Sequence, residues 1–437
     1  MKSLLLFTAI ALATAIAVIG SNQTQAQPPL SQTEYYQASP TPSASPSPRR
    51  SAAPSVRSTP APAHATATPA RRATPSRTAT PVKTPTPVPT PVPTPALARH
   101  ENVNDIARFI AGLPPEHDAQ LTKLAQAAEW TAYAAYMSKA WQRFDEAKLV
   151  RLRTWTATEL GPLHIKTVFY PFSGPDYTYA TTYFPTASTY ILCGLEPVGD
   201  VPSAEKLQPL INSLGWLQSS FKTLLNAGYF VTQDMNVELK MSPMQGTLPI
   251  MCVMLARNGD RITSISTGSS FAEIQFVPAK GGGEKSLFYF SSDLSNGGFA
   301  KGGALRNFLA KTHPDTAYIK SDSYLLHEDE FSAVRNFLLT QFNTIVQDDS
   351  GIPLHDFDLK RWNLKLYGVY AQPLDIFAQY AQPDLGDLYK KTPNVPGLEF
   401  GVGYHWDYKE ANLMVATAKA PAEQSVPEPR AVPAPHR

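Results

Sequence analysis

Cysteine is nearly missing from this chain. Only Cys193 and Cys252 occur in 437 residues, so at most one intrachain disulfide can form. Both fall in apolar runs that read as strands. An exported chain would allow the bond, and the sequence leaves open whether their Cα atoms come within bonding range. No cysteine follows the N-terminal apolar run, which excludes lipid attachment at that point. Leu4 to Ile19 is the one long apolar stretch, and no other approaches the roughly 20 residues of a membrane span. Internal repeats are missing as well. Ser173 lacks the Gly-x-Ser-x-Gly frame that exposes a nucleophile on a strand-to-helix elbow. The Asp348–Asp358 segment lacks the alternating acids and distal glutamate of a calcium loop.

Proline is abundant, with 41 residues, and its placement divides the chain. Roughly 18 of them lie between Gln27 and His100, a stretch of Pro, Thr, Ser and Ala that cannot bury enough apolar surface to fold. Residues 1–26 read as an export signal. Met1-Lys2 supplies the positive start, Leu4 to Ile19 the apolar run, and Thr24-Gln25-Ala26 the small-residue cleavage site. An uncleaved membrane anchor is the alternative. Residues 27–100 then form a disordered, extended linker, 101–417 a globular domain, and 418–437 a disordered Pro-rich tail. The expected location is secreted or periplasmic.

Charge follows the same division. The linker carries Arg49, Arg50, Arg57, Arg71, Arg72, Arg77, Lys83 and Arg99 against Glu34 alone, although the whole chain is only +2. The globular part and tail are therefore net acidic. An acidic domain is a poor nucleic-acid binder, because neutralising phosphates supplies most non-specific affinity. The basic linker is suited instead to anionic envelope polymers.

The globular region reads as a single α/β domain with a mostly buried mixed sheet and a helical N-terminal part. Asn104 is the expected N-cap of the first helix, and Asp118 to about Lys148 the expected second, its aromatics facing the core. Thr167–Phe172 and Thr189–Leu195 are β-branched and aromatic, hence strands. Between them lie the turn Ser173-Gly174-Pro175-Asp176 and a short helix to Phe184. Ala204–Asn226 reads as a helix. Leu248–Ala256 reads as a strand turning at Asn258-Gly259-Asp260 into a hairpin with Arg261–Ser266. Strands are expected at Phe271–Pro278, Ser286–Ser291, Thr316–Ser321 and Trp362–Val369, and an amphipathic helix over Glu330–Ile345. Leu398–Tyr404 and Leu413–Ala416 read as a closing hairpin.

Two clusters are candidate sites. Ser173, Gly174 and Asp176 follow the first strand, and Glu196 ends the second about 20 residues on, where doubly wound sheets place a ribose-binding carboxylate. The layout resembles the start of a nucleotide-binding or S-adenosylmethionine-dependent methyltransferase fold. It departs in having one glycine in the turn and Pro175, which offers no N–H, so no cofactor is expected. The second cluster is the loop with Asp348, Asp349, His355 and Asp356, candidates for acid–base or hard-cation chemistry. Aspartates after a helix also make solvated turns, and that is the expected role here. His327 and His405 read as packed histidines.

The phrases Pro171-Phe172-Ser173-Gly174-Pro175-Asp176, Gly194-Leu195-Glu196-Pro197-Val198-Gly199 and Gln347-Asp348-Asp349-Ser350-Gly351-Ile352-Pro353 resemble those of a family of bacterial secreted or periplasmic proteins of unassigned activity. The resemblance implies an envelope location and one shared domain, and brings no catalytic residue. Three functions stay open: a non-catalytic binding or structural domain, a secreted hydrolase or metal-assisted enzyme using the Asp348–Asp358 loop, or a degenerate methyltransferase-like fold.

Overall fold

The computed structural model describes residues 102–203, 214–227 and 246–419. The expected export signal, the expected linker and nearly all of the expected tail lie outside the described residues. Four helices open the domain: α1 (Val103–Ile110), α2 (Ala119–Leu124), α3 (Ala128–Phe144) and α4 (Val150–Glu159), the last two joined by a π-helical turn, Asp145–Leu149. Asp118 caps α2, its carboxylate accepting from the Gln120 and Leu121 amides. Asn104 is not a cap, because α1 starts one residue earlier. Its side chain accepts instead from the Ile262 amide at 3.1 Å and ties α1 to the sheet. Of the aromatics expected in the core, Trp130, Tyr133, Trp141 and Phe144 are buried and Tyr136 is exposed; Trp130 and Tyr133 donate to the carbonyls of Phe109 and Ile110.

The sheet begins with β1 (Thr167–Tyr170), crosses through α5 (Tyr177–Tyr183) and returns in β2 (Thr189–Gly194). Next come α6 (Leu214–Ala227), α7 (Leu248–Arg257), β3 (Arg261–Thr267), β4 (Phe271–Val277) and β5 (Lys285–Ser291). Short helices α8 (Asn296–Ala300) and α9 (Ala304–Thr312) lead to β6 (Thr316–Ile319). Then α10 (Ser332–Gln341) precedes β7 (Thr344–Gln347), β8 (Trp362–Gly368), α11 (Pro383–Lys391) and β9 (Asn412–Ala418).

Nine strands form one mixed sheet in the order β3-β4-β5-β2-β1-β6-β7-β9-β8. The central five, β5-β2-β1-β6-β7, are parallel. They have the 3-2-1-4-5 order of a doubly wound sheet, with the direction of winding reversing between β1 and β6. Both margins are antiparallel. Alternation along the strands feeds two cores. Val168, Tyr170, Tyr190 and Leu192 join the helices α1, α3 and α7 on one face. Phe169, Ile191 and Cys193 join α9 and α10 on the other.

Three further expectations are corrected, and the state of the cysteines, left open by the sequence, is settled. Leu248–Arg257 is a helix, not a strand. Every residue from Leu248 to Ala256 is buried, and an all-round apolar run has no period to separate helix from strand; ten residues and Pro249 in the first turn favour helix. The hairpin therefore forms between β3 and β4. The helix expected to reach Ile345 stops at Gln341, and β-branched Thr344-Ile345-Val346 begins strand β7. Leu398–Tyr404 forms no strand, only an isolated bridge between Val402 and His405. Finally, Cys193 and Cys252 are free buried thiols. Cys193 packs in one core and Cys252 in the other, across the sheet.

Candidate functional site

In a doubly wound sheet the ligand crevice lies beyond the carboxyl ends of the strands where the winding reverses. Here that place is framed by the turn after β1, the end of β2, and the loops after β6 and β7.

The turn after β1 closes onto β2. Phe172 and Gly174 both adopt left-handed backbone, with φ of 56° and 53°. The Gly174 amide donates to the Cys193 carbonyl at 3.2 Å, and the Cys193 amide donates to Ser173 Oγ at 3.1 Å. Ser173 is thus a latch between two strands and not a cap. A Cβ on Gly194 would stand 3.0 Å from Gly174 Cα, so the two glycines let the backbones touch. Glu196 is buried, and Tyr289 donates to its backbone carbonyl at 2.8 Å and to Oε2 at 3.2 Å. A nucleotide or S-adenosylmethionine, the groups implied by the methyltransferase likeness, does not fit. The Gly174 amide is spent on Cys193, Pro175 has none, and the residues from Pro171 to Ala180 are all buried.

Asp176 caps α5, accepting from the Tyr179 amide at 3.4 Å. Its Oδ2 also receives the Lys320 ammonium at 2.9 Å and the Tyr170 hydroxyl at 3.2 Å. Lys320, the residue after β6, is itself buried, with Nζ 3.6 Å from the Tyr179 ring centre. An ammonium over an aromatic face gains a cation–π term where water is excluded. Tyr170 and Tyr318 pack beside the pair with ring centres 4.5 Å apart. Lys148, from the π-helical turn, is held down to about 8 by burial and by the charge of Lys320.

The loops after β6 and β7 form a second buried network. Asp348 and Asp349 are 3% and 4% exposed, so the expected solvated turn is corrected. They end a parallel strand inside the sheet, where water cannot reach them. Asp348 accepts from the Ser321 amide at 3.1 Å, the Ser350 amide at 3.0 Å and Ser350 Oγ at 2.5 Å. Asp349 accepts from the Tyr324 hydroxyl at 2.7 Å and Asn412 Nδ2 at 3.0 Å, with His405 Nε2 at an ion-pair distance of 3.7 Å. Burial and the Asp349 charge push Asp348 up to about 6. Burial also opposes ionisation of Asp349, but His405, Tyr324 and Asn412 outweigh it and hold Asp349 below the usual range. His405 is correspondingly raised, Asp349 overcoming the effect of burial. Asp322, buried beside them, is driven well up by burial and by Asp348.

Ser321, Ser323 and Tyr324 all have left-handed φ, at 54°, 59° and 59°. Such backbone is costly for non-glycine residues and persists only where its surroundings enforce it. Tyr404 enforces it here, accepting from the Ser323 amide at 3.0 Å and donating to the Ser321 carbonyl at 2.9 Å. A small third cluster of Tyr324, Phe377 and Tyr404 packs against this loop.

The four candidates of the acidic loop therefore separate. Asp348 and Asp349 enter the network. Asp356 leaves it to pair with Arg335 at 2.8 Å, and the His355 side chain is 70% exposed. Among the described residues, no three His, Cys, Asp or Glu side chains are placed to hold a metal ion. Sequence reasoning missed Lys320, Asp322 and Asn412. The available signal was position: Lys320 follows a buried four-residue strand directly, and Asn412 opens the strand that lies beside β7. His405 is packed as expected, and its packing partner is Asp349. Searches for likeness add nothing to this geometry, since no protein family, curated protein or solved structure matches the chain.

Proposed function

We propose that the chain is an exported envelope protein whose α/β domain is a non-catalytic binding or structural module on a Pro-rich tether. In this reading the domain derives its layout from a nucleotide- or methyltransferase-like sheet and has lost the cofactor. One observation carries the proposal: the crevice at the winding reversal is filled by the protein's own Lys320–Asp176 pair, at 2.9 Å with both side chains buried. A ligand entering there would have to displace a desolvated ion pair and leave both charges unmatched. The basic linker, in the same reading, rests on anionic envelope polymer and holds the domain off the surface. Thermal melting with S-adenosylmethionine, NAD and ATP at millimolar concentration tests the reading. The expected outcome is no shift in Tm. A saturable rise with any of them, lost in Asp176→Asn, would sink it.

A second reading, a secreted hydrolase working from Asp348 and Asp349, is favoured by the left-handed backbone at Ser321, Ser323 and Tyr324 and by buried Asp322 Oδ2 and His405 Nε2, which have no hydrogen-bond partner among the described residues. Unmet polar atoms and enforced strain gather at working sites. The readings separate on access. A water-soluble carbodiimide with a small amine should spare Asp322, Asp348 and Asp349 in the native state if the module is closed. Rapid labelling of these three on a peptide map would favour the hydrolase.

A further inference from the structure

The opposite edge of the sheet, where the parallel strands begin, carries an open cleft of about 810 Å³. Small-molecule sites span roughly 300–1,000 Å³. Helices α3 and α4 form one wall, and the end of α5 with the β4–β5 connection forms the other. Two carboxylates face the cleft, and both are engaged. Asp145 is gripped by both terminal nitrogens of Arg153, at 2.7 and 2.9 Å. Asp260 accepts from the Tyr177 hydroxyl at 2.8 Å and the Ala279 amide at 3.2 Å, with Lys285 among the charges acting on it.

Three further cations line the cleft, and among the described residues no carboxylate stands at ion-pair distance from them: Arg257, Lys280 and Lys285. Arg257 gives its Nε to the Ala111 carbonyl at 2.7 Å and its other nitrogens to Ser138 Oγ at 3.2 Å and the Gly112 carbonyl at 3.5 Å. That uses three of five guanidinium donors. Lys285 gives one of three ammonium donors to the Pro185 carbonyl at 2.7 Å. Lys280 is exposed, with no bond among the described residues. The same cleft holds Asn258 Nδ2, a buried amide donor with no hydrogen-bond partner among the described residues. Unmet buried donors are rare in folded proteins and mark a place for an acceptor. These unspent donors are mostly cationic, and their complement is an acceptor-only anion. Charge-assisted bonds of this kind are the strong ones.

We propose that this cleft binds a small ligand through a carboxylate or phosphate group, received by Lys280, Lys285, Arg257 and the Asn258 amide. Leu113, Pro185 and Pro278 supply apolar wall for the rest of the ligand. The site stands whether or not the crevice at the other edge is closed. Citrate and inorganic phosphate are the probes, each titrated into the full chain and followed by Tm, with sodium chloride at matched ionic strength as control. The expected result is a saturable rise with at least one probe that chloride does not reproduce. Citrate alone identifies a carboxylate ligand and phosphate alone a phosphate ligand. Lys280→Glu should raise the half-saturating concentration at least fivefold and leave the Tm without probe unchanged. Asn258→Ala should weaken binding as well. No rise, a rise equalled by chloride, or a rise that neither variant weakens would overturn the proposal.

Discussion

The two edges of this sheet handle charge in opposite ways. At the carboxyl edge Lys320, Asp176, Asp322, Asp348, Asp349 and His405 are withdrawn from water and surrounded by tyrosines. At the amino edge Arg257, Lys280 and Lys285 face an open cleft. Doubly wound sheets place their ligands at the first of these edges. In this chain that edge is packed with its own side chains, and open volume lies at the other. The comparison teaches that strand order sets where a crevice would be, and side-chain volume decides whether there is one.

The largest effect should come from Lys320→Met. It leaves the Asp176 carboxylate buried without its cation, which costs about 3–5 kcal/mol in urea unfolding. Adding Asp176→Asn should recover much of that. A loss under about 1 kcal/mol would mean that water reaches the pair and that the two edges differ less than described. Asp349→Asn should cost less, about 2 kcal/mol, by setting an amide donor against Tyr324 and Asn412, which are both donors.

Asp348 should also make stability depend on pH. Asp348 has a folded pKa near 6, above the roughly 3.9 of an unfolded aspartate. Its contribution is fully present below about pH 4 and is lost as pH rises through about 6. His405 is raised too, so its contribution is likewise lost on the alkaline side. Asp349 is lowered, and its contribution is lost only as pH falls below the usual aspartate range. Between pH 5 and pH 8 Asp348 alone should account for about 1.4 kcal/mol. His327, held down to about 4 by burial, acts in the opposite sense: its contribution is present above about 6.5 and is lost as pH falls toward 4. The check is therefore the difference between the parent and Asp348→Asn in melting curves at pH 5, 6, 7 and 8. Parallel curves would contradict the burial of Asp348.

The smallest effect belongs to the thiols. Burial pushes Cys252 up to about 12 and Cys193 further. Neither should react with a maleimide in the folded state, and dithiothreitol should leave the Tm unchanged. Mass spectrometry before and after denaturation checks this.

Much of the parallel core was legible in the chain, because β1 and β2 are short, β-branched and aromatic, with a turn and a helix between them. β7 was not. Its apolar residues continue the helical face of Val334, Leu338 and Phe342, so a four-residue strand hides at the end of a helix. That error removed Asp348 and Asp349 from the sheet and made them look solvated. Asp176 and Glu196 were found by their distance from strand ends. The partner of Asp176 was out of reach, because Lys320 is 144 residues away and the two meet only through the pairing of β1 with β6. Local pattern reveals elements; the buried pairs depend on strand order, which local pattern does not contain.

The final strand has one more consequence. β9 lies inside the sheet, between β7 and β8, although it is the last of the described strands to be made. Until residues 412–418 leave the ribosome, β7 and β8 have no neighbour on their shared side, and Asp349 lacks Asn412. The edge strand β8 thus joins the sheet only after the later β9 is made. Such long-range closure is slow, so this margin should be fixed after the parallel centre.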